Sequence, residues 1–106
     1  MAPVEPKSKE EFQQLLKSAG GRLVVVKFFA TWCGPCRMMA PKFLKLSNEL
    51  PEIFCMEVDV DEQEDIVADY DIKVMPTFVF IKNGETEFTL EGNNLEELRK
   101  NMETRK

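Results

Sequence analysis

The run Leu23-Val24-Val25-Val26-Lys27-Phe28-Phe29-Ala30 constrains this chain more than any other stretch. Branched and aromatic side chains fit a pleated, extended backbone. With no polar alternation, such a strand has no face to give to water and must be covered on both sides. That is the habit of parallel and mixed sheets flanked by helices. Lys27 alone breaks the run. By strand alternation it shares a face with Val25 and Phe29, so its side chain is expected to point inward. An ammonium buried without a partner costs several kcal/mol.

The run leads into Trp32-Cys33-Gly34-Pro35-Cys36, and Met38 to Leu50 then reads as a helix. Residues three apart on a helix share a face, about 5–6 Å apart, which falls in the Cα separation a disulfide tolerates. Cys33 and Cys36 could therefore pass between dithiol and disulfide with little backbone movement. A helix N-terminus carries roughly half a positive charge and several free N–H groups, which lowers the pKa of a thiol placed there. Two blander readings exist for the pair, a structural disulfide and half of a zinc site. Tetrahedral zinc wants four ligands, and the chain has no histidine and only Cys55 as a further thiol. A permanent bridge enclosing two residues would remove little chain entropy. Redox chemistry is therefore the preferred reading, with no metal. Cys55 lies in the apolar stretch Ile53-Phe54-Cys55-Met56 and reads as a small core hydrophobe rather than a regulatory thiol.

A chain of 106 residues suits one domain, residues 1–106. Its net charge of −5 argues against a general nucleic-acid binder. No run is long and apolar enough for a membrane helix, and Met1 to Lys9 has no secretory h-region. Three cysteines are too few for a disulfide-stapled scaffold. The expectation is a cytoplasmic protein in a reducing compartment, without membrane or nucleic-acid partners.

The remaining elements follow from pattern. Ser8 to Glu11 fits a capping box ahead of a helix carrying Phe12, Leu15, Leu16 and Ala19, stopped by Gly20-Gly21. From Pro35 to Leu50 the positions Met39, Phe43, Leu46 and Leu50 form one stripe, with Pro41 inside it. Ile53 to Val60 predicts a second strand, and Glu64 to Tyr70 a short helix with Ile66, Val67 and Tyr70 inward. Thr77 to Ile81 and Thr86 to Leu90 flank the hairpin signal Asn83-Gly84. Asn94 to Glu97 opens a last helix through Leu95, Leu98 and Met102. The acids from Asp59 to Asp65 read as a solvated edge. The order predicts α/β architecture, a mixed sheet of four strands, or five with one near Val4, flanked by four helices.

Phe28-Phe29-Ala30-Thr31-Trp32-Cys33-Gly34-Pro35-Cys36 resembles the active-site segment of the thioredoxin family. Lys73-Val74-Met75-Pro76-Thr77-Phe78 resembles that family's cis-proline loop, and Val58 to Asp61, Lys82-Asn83-Gly84 and Glu91-Gly92 keep its order and spacing. The resemblance covers essentially the whole chain and implies the thioredoxin fold and protein-disulfide reduction. It implies that Cys33 attacks a client disulfide and that Cys36 resolves the mixed disulfide, with Gly34 and Pro35 shaping the first turn. Trp32, Val74, Met75, Pro76 and Gly92 are implied as the client-docking surface. The resemblance further implies no bound cofactor, with reducing equivalents coming from thioredoxin reductase and NADPH. Some relatives carry a cysteine before the Met-Pro pair; Val74 stands there, so a dimer bridged at that point is not expected and the chain reads as a monomer.

One position departs from the family. Most thioredoxins carry an aspartate at Lys27, where it handles the proton of the second cysteine. Glu57 occupies a place where some members carry a lysine, so a charge-reversed Lys27–Glu57 pair is expected. A nearby cation favours thiolates, which eases deprotonation of Cys36 and weakens it as a nucleophile once ionised. Altered kinetics are expected. Two alternatives stand beside the reductase: a disulfide oxidase or isomerase of the same fold, and a redox-dependent binding module with little turnover.

Overall fold

The structure, a computed structural model, describes residues 2–106. Helix α1 (Lys9–Ser18) is capped by Ser8, whose hydroxyl accepts the Glu11 N–H at 3.0 Å. The Glu11 carboxylate reaches back past Ser8 to accept the Lys7 N–H. Gly20, at φ 61°, sits in the left-handed region just beyond the helix. The apolar run forms β1 (Val24–Phe29), followed by α2 (Gly34–Glu49), β2 (Phe54–Asp59) and α3 (Glu64–Val67). The chain then gives β3 (Thr77–Lys82), β4 (Glu85–Glu91) and α4 (Leu95–Arg105). Asn83 and Gly84 turn the hairpin with φ 53° and 80°, the signs that a tight right-twisted hairpin requires.

The four strands run in the order β2-β1-β3-β4. β1 and β2 are parallel, whereas β3 lies antiparallel to both β1 and β4. Alternation on β1 divides the core. Val24, Val26 and Phe28 pack with Phe12, Met56, Val58 and Ile66 on the side of α1 and α3. Val25 packs with Met39, Phe43, Leu46, Phe78 and Leu98 on the side of α2 and α4. The expected stripe of α2 is thus the face it buries. β1 is central, which is why it could not alternate.

Three expectations are corrected. Val4 makes a single parallel bridge to Met56 rather than a fifth strand. Pro3 and Pro6 stand on either side of it and have no N–H to extend a ladder. The helix expected to reach Tyr70 ends at Val67, and the chain closes with three-residue turns from Asp69 to Ile66 and from Tyr70 to Val67. Tyr70 still packs inward, its ring 5.3 Å from Phe28 and 6.1 Å from Phe12. The acids from Asp59 to Asp65 are not all solvated: Asp59 is buried, and its Oδ1 accepts the Asp61 N–H at 2.9 Å.

Candidate active site

The end of β1 and the start of α2 hold the two cysteines. Cys33 is the N-cap of α2, with φ −87° and ψ 113°, so Gly34, Pro35 and Cys36 form the first turn. Pro35 falls where a missing N–H leaves no helical bond unmade. Cys33 and Cys36 are joined as a disulfide with their Cα atoms 5.3 Å apart. The Cys36 N–H points at Cys33 Sγ from 3.2 Å. On reduction that N–H and the helix N-terminus both favour negative charge on Cys33. A Cβ on Gly34 would meet nothing within 4 Å, so the surface beside the pair is open.

A second loop meets the pair from β3. The Met75-Pro76 peptide bond is cis. The carbonyl oxygen of Met75 lies 3.6 Å from Cys33 Sγ. The loop is tied down on both sides: Thr77 Oγ1 donates to the Val74 carbonyl at 2.6 Å, and the Gly92 N–H donates to the Pro76 carbonyl at 2.8 Å. Gly92 has φ 94°, a conformation that side chains resist. Of the residues expected to form a docking surface, Val74 and Trp32 are exposed, Met75 and Gly92 are partly exposed, and Pro76 is buried. Pro76 therefore shapes this surface from beneath.

Trp32 is 65 % exposed, yet it does not swing free, because its indole N–H donates to Asp61 Oδ2 at 2.9 Å. The sequence reading missed this role for Asp61. A signal existed for Asp59, since an aspartate often accepts the N–H two residues on. For Asp61 the signal was topological only: Phe29 and Asp59 are register partners in parallel strands, which brings 61 near the loop after 29.

Beneath the pair, Lys27 is 3 % exposed and its Nζ lies 3.3 Å from Glu57 Oε1. The two are direct register partners on β1 and β2. The ammonium also lies 5.2 Å from the Phe29 ring centre and 5.7 Å from that of Phe43, within reach of both ring faces. Lys27, Glu57 and Cys36 line one cavity of about 300 Å3, together with Thr31, Arg37 and Ala40. Cys55 lies apart from this site, buried, its thiol pushed up to about 12 by desolvation. Among the described residues no group of His, Cys, Asp and Glu is arranged to hold a metal ion.

The thioredoxin family model matches residues 3–104. Mouse thioredoxin is 48 % identical over 91 residues, covering 86 % of this chain and 87 % of the mouse protein. Rabbit thioredoxin is 50 % identical over the same shares. The structure of Fasciola hepatica thioredoxin superposes with a TM-score of 0.94 at 42 % identity, covering 97 % of this chain and 99 % of that one. Reduced Schistosoma mansoni thioredoxin gives 0.91 at 39 % identity, with 98 % of each chain covered. The chain belongs to the thioredoxin family and, with its Cys33–Cys36 pair, is a thiol–disulfide oxidoreductase.

Proposed function

We propose that the protein is a general protein-disulfide reductase that draws electrons from thioredoxin reductase and NADPH, serving electron transport and cell redox homeostasis. The observation that carries this reading is the Cys33–Cys36 disulfide at the N-terminus of α2, with the Met75 carbonyl beside Cys33. Reduced Cys33 attacks one sulfur of a client disulfide, expels the other as a thiolate, and becomes joined to the client. Cys36 then attacks Cys33 Sγ, restoring the internal disulfide and releasing the second client thiol. Two electrons pass from the dithiol to the client. An extended client segment would pair with the backbone at Met75, as an added strand does, while Trp32 and Val74 supply apolar contact. Exposure of Trp32 and Val74 supports that geometry. The low cysteine content supports work in a reducing compartment, the cytoplasm, and Val74 in place of a cysteine before the Met-Pro pair supports a monomer.

Lys27 in place of an acid changes the proton chemistry of this site. The expected result is reductase activity with a pH profile unlike that of a Lys27→Asp variant; superimposable profiles would remove Lys27 from the mechanism. Equilibration with glutathione buffers tests the direction of electron flow. The protein is expected near about −270 mV, the value general to thioredoxins, and a value near about −180 to −120 mV would make it an isomerase or oxidase instead.

A further inference from the structure

Cys36 has a proton to lose before it can attack, and its side chain is 2 % exposed. Cys36 lines a solvent-open cavity, so a side chain that takes the proton must face that cavity. Three charged residues line that cavity: Lys27 from β1, Arg37 from α2 and Glu57 from β2. An ammonium and a guanidinium have no lone pair to offer. The Arg37 guanidinium is also engaged, donating to the Thr31 carbonyl at 2.8 Å. Thr31 brings a hydroxyl, too weak a base to hold a proton. Asp59 and Asp61, further along, are engaged with backbone N–H groups and with Trp32. Glu57 is the carboxylate that lines the cavity, and it is 21 % exposed, open on its other side to solvent.

We propose that Glu57 is the proton acceptor for Cys36, working through water in the shared cavity, and that Lys27 is the residue that positions its carboxylate. This rests on the reductase reading above. A volume of about 300 Å3 has room for several waters, each of which occupies about 30 Å3 in the liquid. In the resolving step the Cys36 S–H proton passes by water to the Glu57 carboxylate. The Cys36 thiolate attacks Cys33 Sγ, the internal S–S bond forms, and the bond from Cys33 to the client sulfur breaks. The departing client thiolate takes back one proton, from Glu57 or from solvent in exchange with it. Lys27, directly opposite on the neighbouring strand, fixes the carboxylate over the cavity. The acceptor of this protein therefore stands on β2, one strand away from the position where the family resemblance placed an acid.

The test separates the two chemical steps. Reduced protein is mixed with a peptide disulfide, quenched in acid at successive times and analysed by mass for the Cys33 mixed disulfide. In the Glu57→Gln variant the attack rate is expected to stay near that of the wild type. Resolution is expected to slow by about tenfold or more, so that the mixed disulfide accumulates. Its rate should also climb steadily with pH, between about pH 6 and 9, as hydroxide replaces the carboxylate. Glu57→Asp should restore part of the rate. Glu57→Gln leaves the Lys27 ammonium without its partner, so the double variant Lys27→Met with Glu57→Gln guards against loss of the fold and should show the same slow resolution. Resolution at the wild-type rate and pH profile in either variant would overturn the proposal. Absence of any mixed disulfide or peptide reduction by the wild type would instead overturn the reductase reading, and the proposal with it.

Discussion

Lys27 sits inside the fold with the Glu57 carboxylate 3.3 Å away and two aromatic rings around its ammonium. Removing one member of such a pair strands the other. Glu57→Ala is expected to lower stability by about 3 kcal/mol in urea unfolding, whereas Lys27→Met with Glu57→Gln should fall much closer to the wild type. Gly92 is another position where one atom matters. A Cβ there meets no neighbour, but φ 94° is unfavourable for any side chain. Gly92→Ala is expected to cost about 1–2 kcal/mol and to loosen the bond to the Pro76 carbonyl, weakening client reduction as well. The buried thiol of Cys55 gives a pH signature. Its pKa is raised by burial from 9.0 to about 12, so between those values the unfolded chain releases a proton that the folded chain keeps. The folded state binds more protons there, and its stability falls as pH rises through that window. Cys55→Val is expected to flatten the alkaline slope of stability, and thiol reagents at neutral pH should leave native Cys55 unmodified.

Each element owes its limits to a few identifiable groups. Ser8 and Asn94 cap α1 and α4 by accepting the N–H groups of Glu11 and Glu97, and both were readable from the S/N-x-x-E pattern. Replacing either by alanine should cost about 1 kcal/mol, measured by denaturant midpoint. The capping of α2 is different, because its N-cap is the cysteine itself. The element that positions the chemistry is thus started by the residue that performs it. What pattern could not reveal lay between elements. Helical spacing predicted α3 through Tyr70, yet the segment sets Ile66, Val67 and Tyr70 against the core with one helical turn and two tighter ones. The acids from Asp59 to Asp65 look alike in sequence. Only the parallel register of β1 and β2 separates Asp59, turned inward, and Asp61, bound to Trp32, from their solvated neighbours.

For the whole molecule, a single sheet covered on both faces does two jobs. It buries β1 from Val24 to Phe28, as the apolar run Leu23 to Ala30 required, and it brings the end of β1 next to the loop before β3. Cys33 and Met75 are 42 residues apart in the chain and meet because β1 and β3 are adjacent. The motif and the loop were each legible locally, and the family resemblance supplied their meeting before any topology was in hand. The pairing of Lys27 with Glu57 was legible through the resemblance, since an inward lysine needs a partner and Glu57 stands where some members of the family carry a lysine. The cavity that joins this pair to Cys36 was not, because it depends on how α2 lies over the strands. Turnover of this arrangement as a reductase is tested by one assay. With NADPH and thioredoxin reductase, catalytic amounts of the protein should reduce many equivalents of insulin. Cys33→Ser should abolish this, and Cys36→Ser should stall it as a mixed disulfide. Client binding with no more than one equivalent reduced per protein would contradict the account and make the protein a redox-dependent binding module.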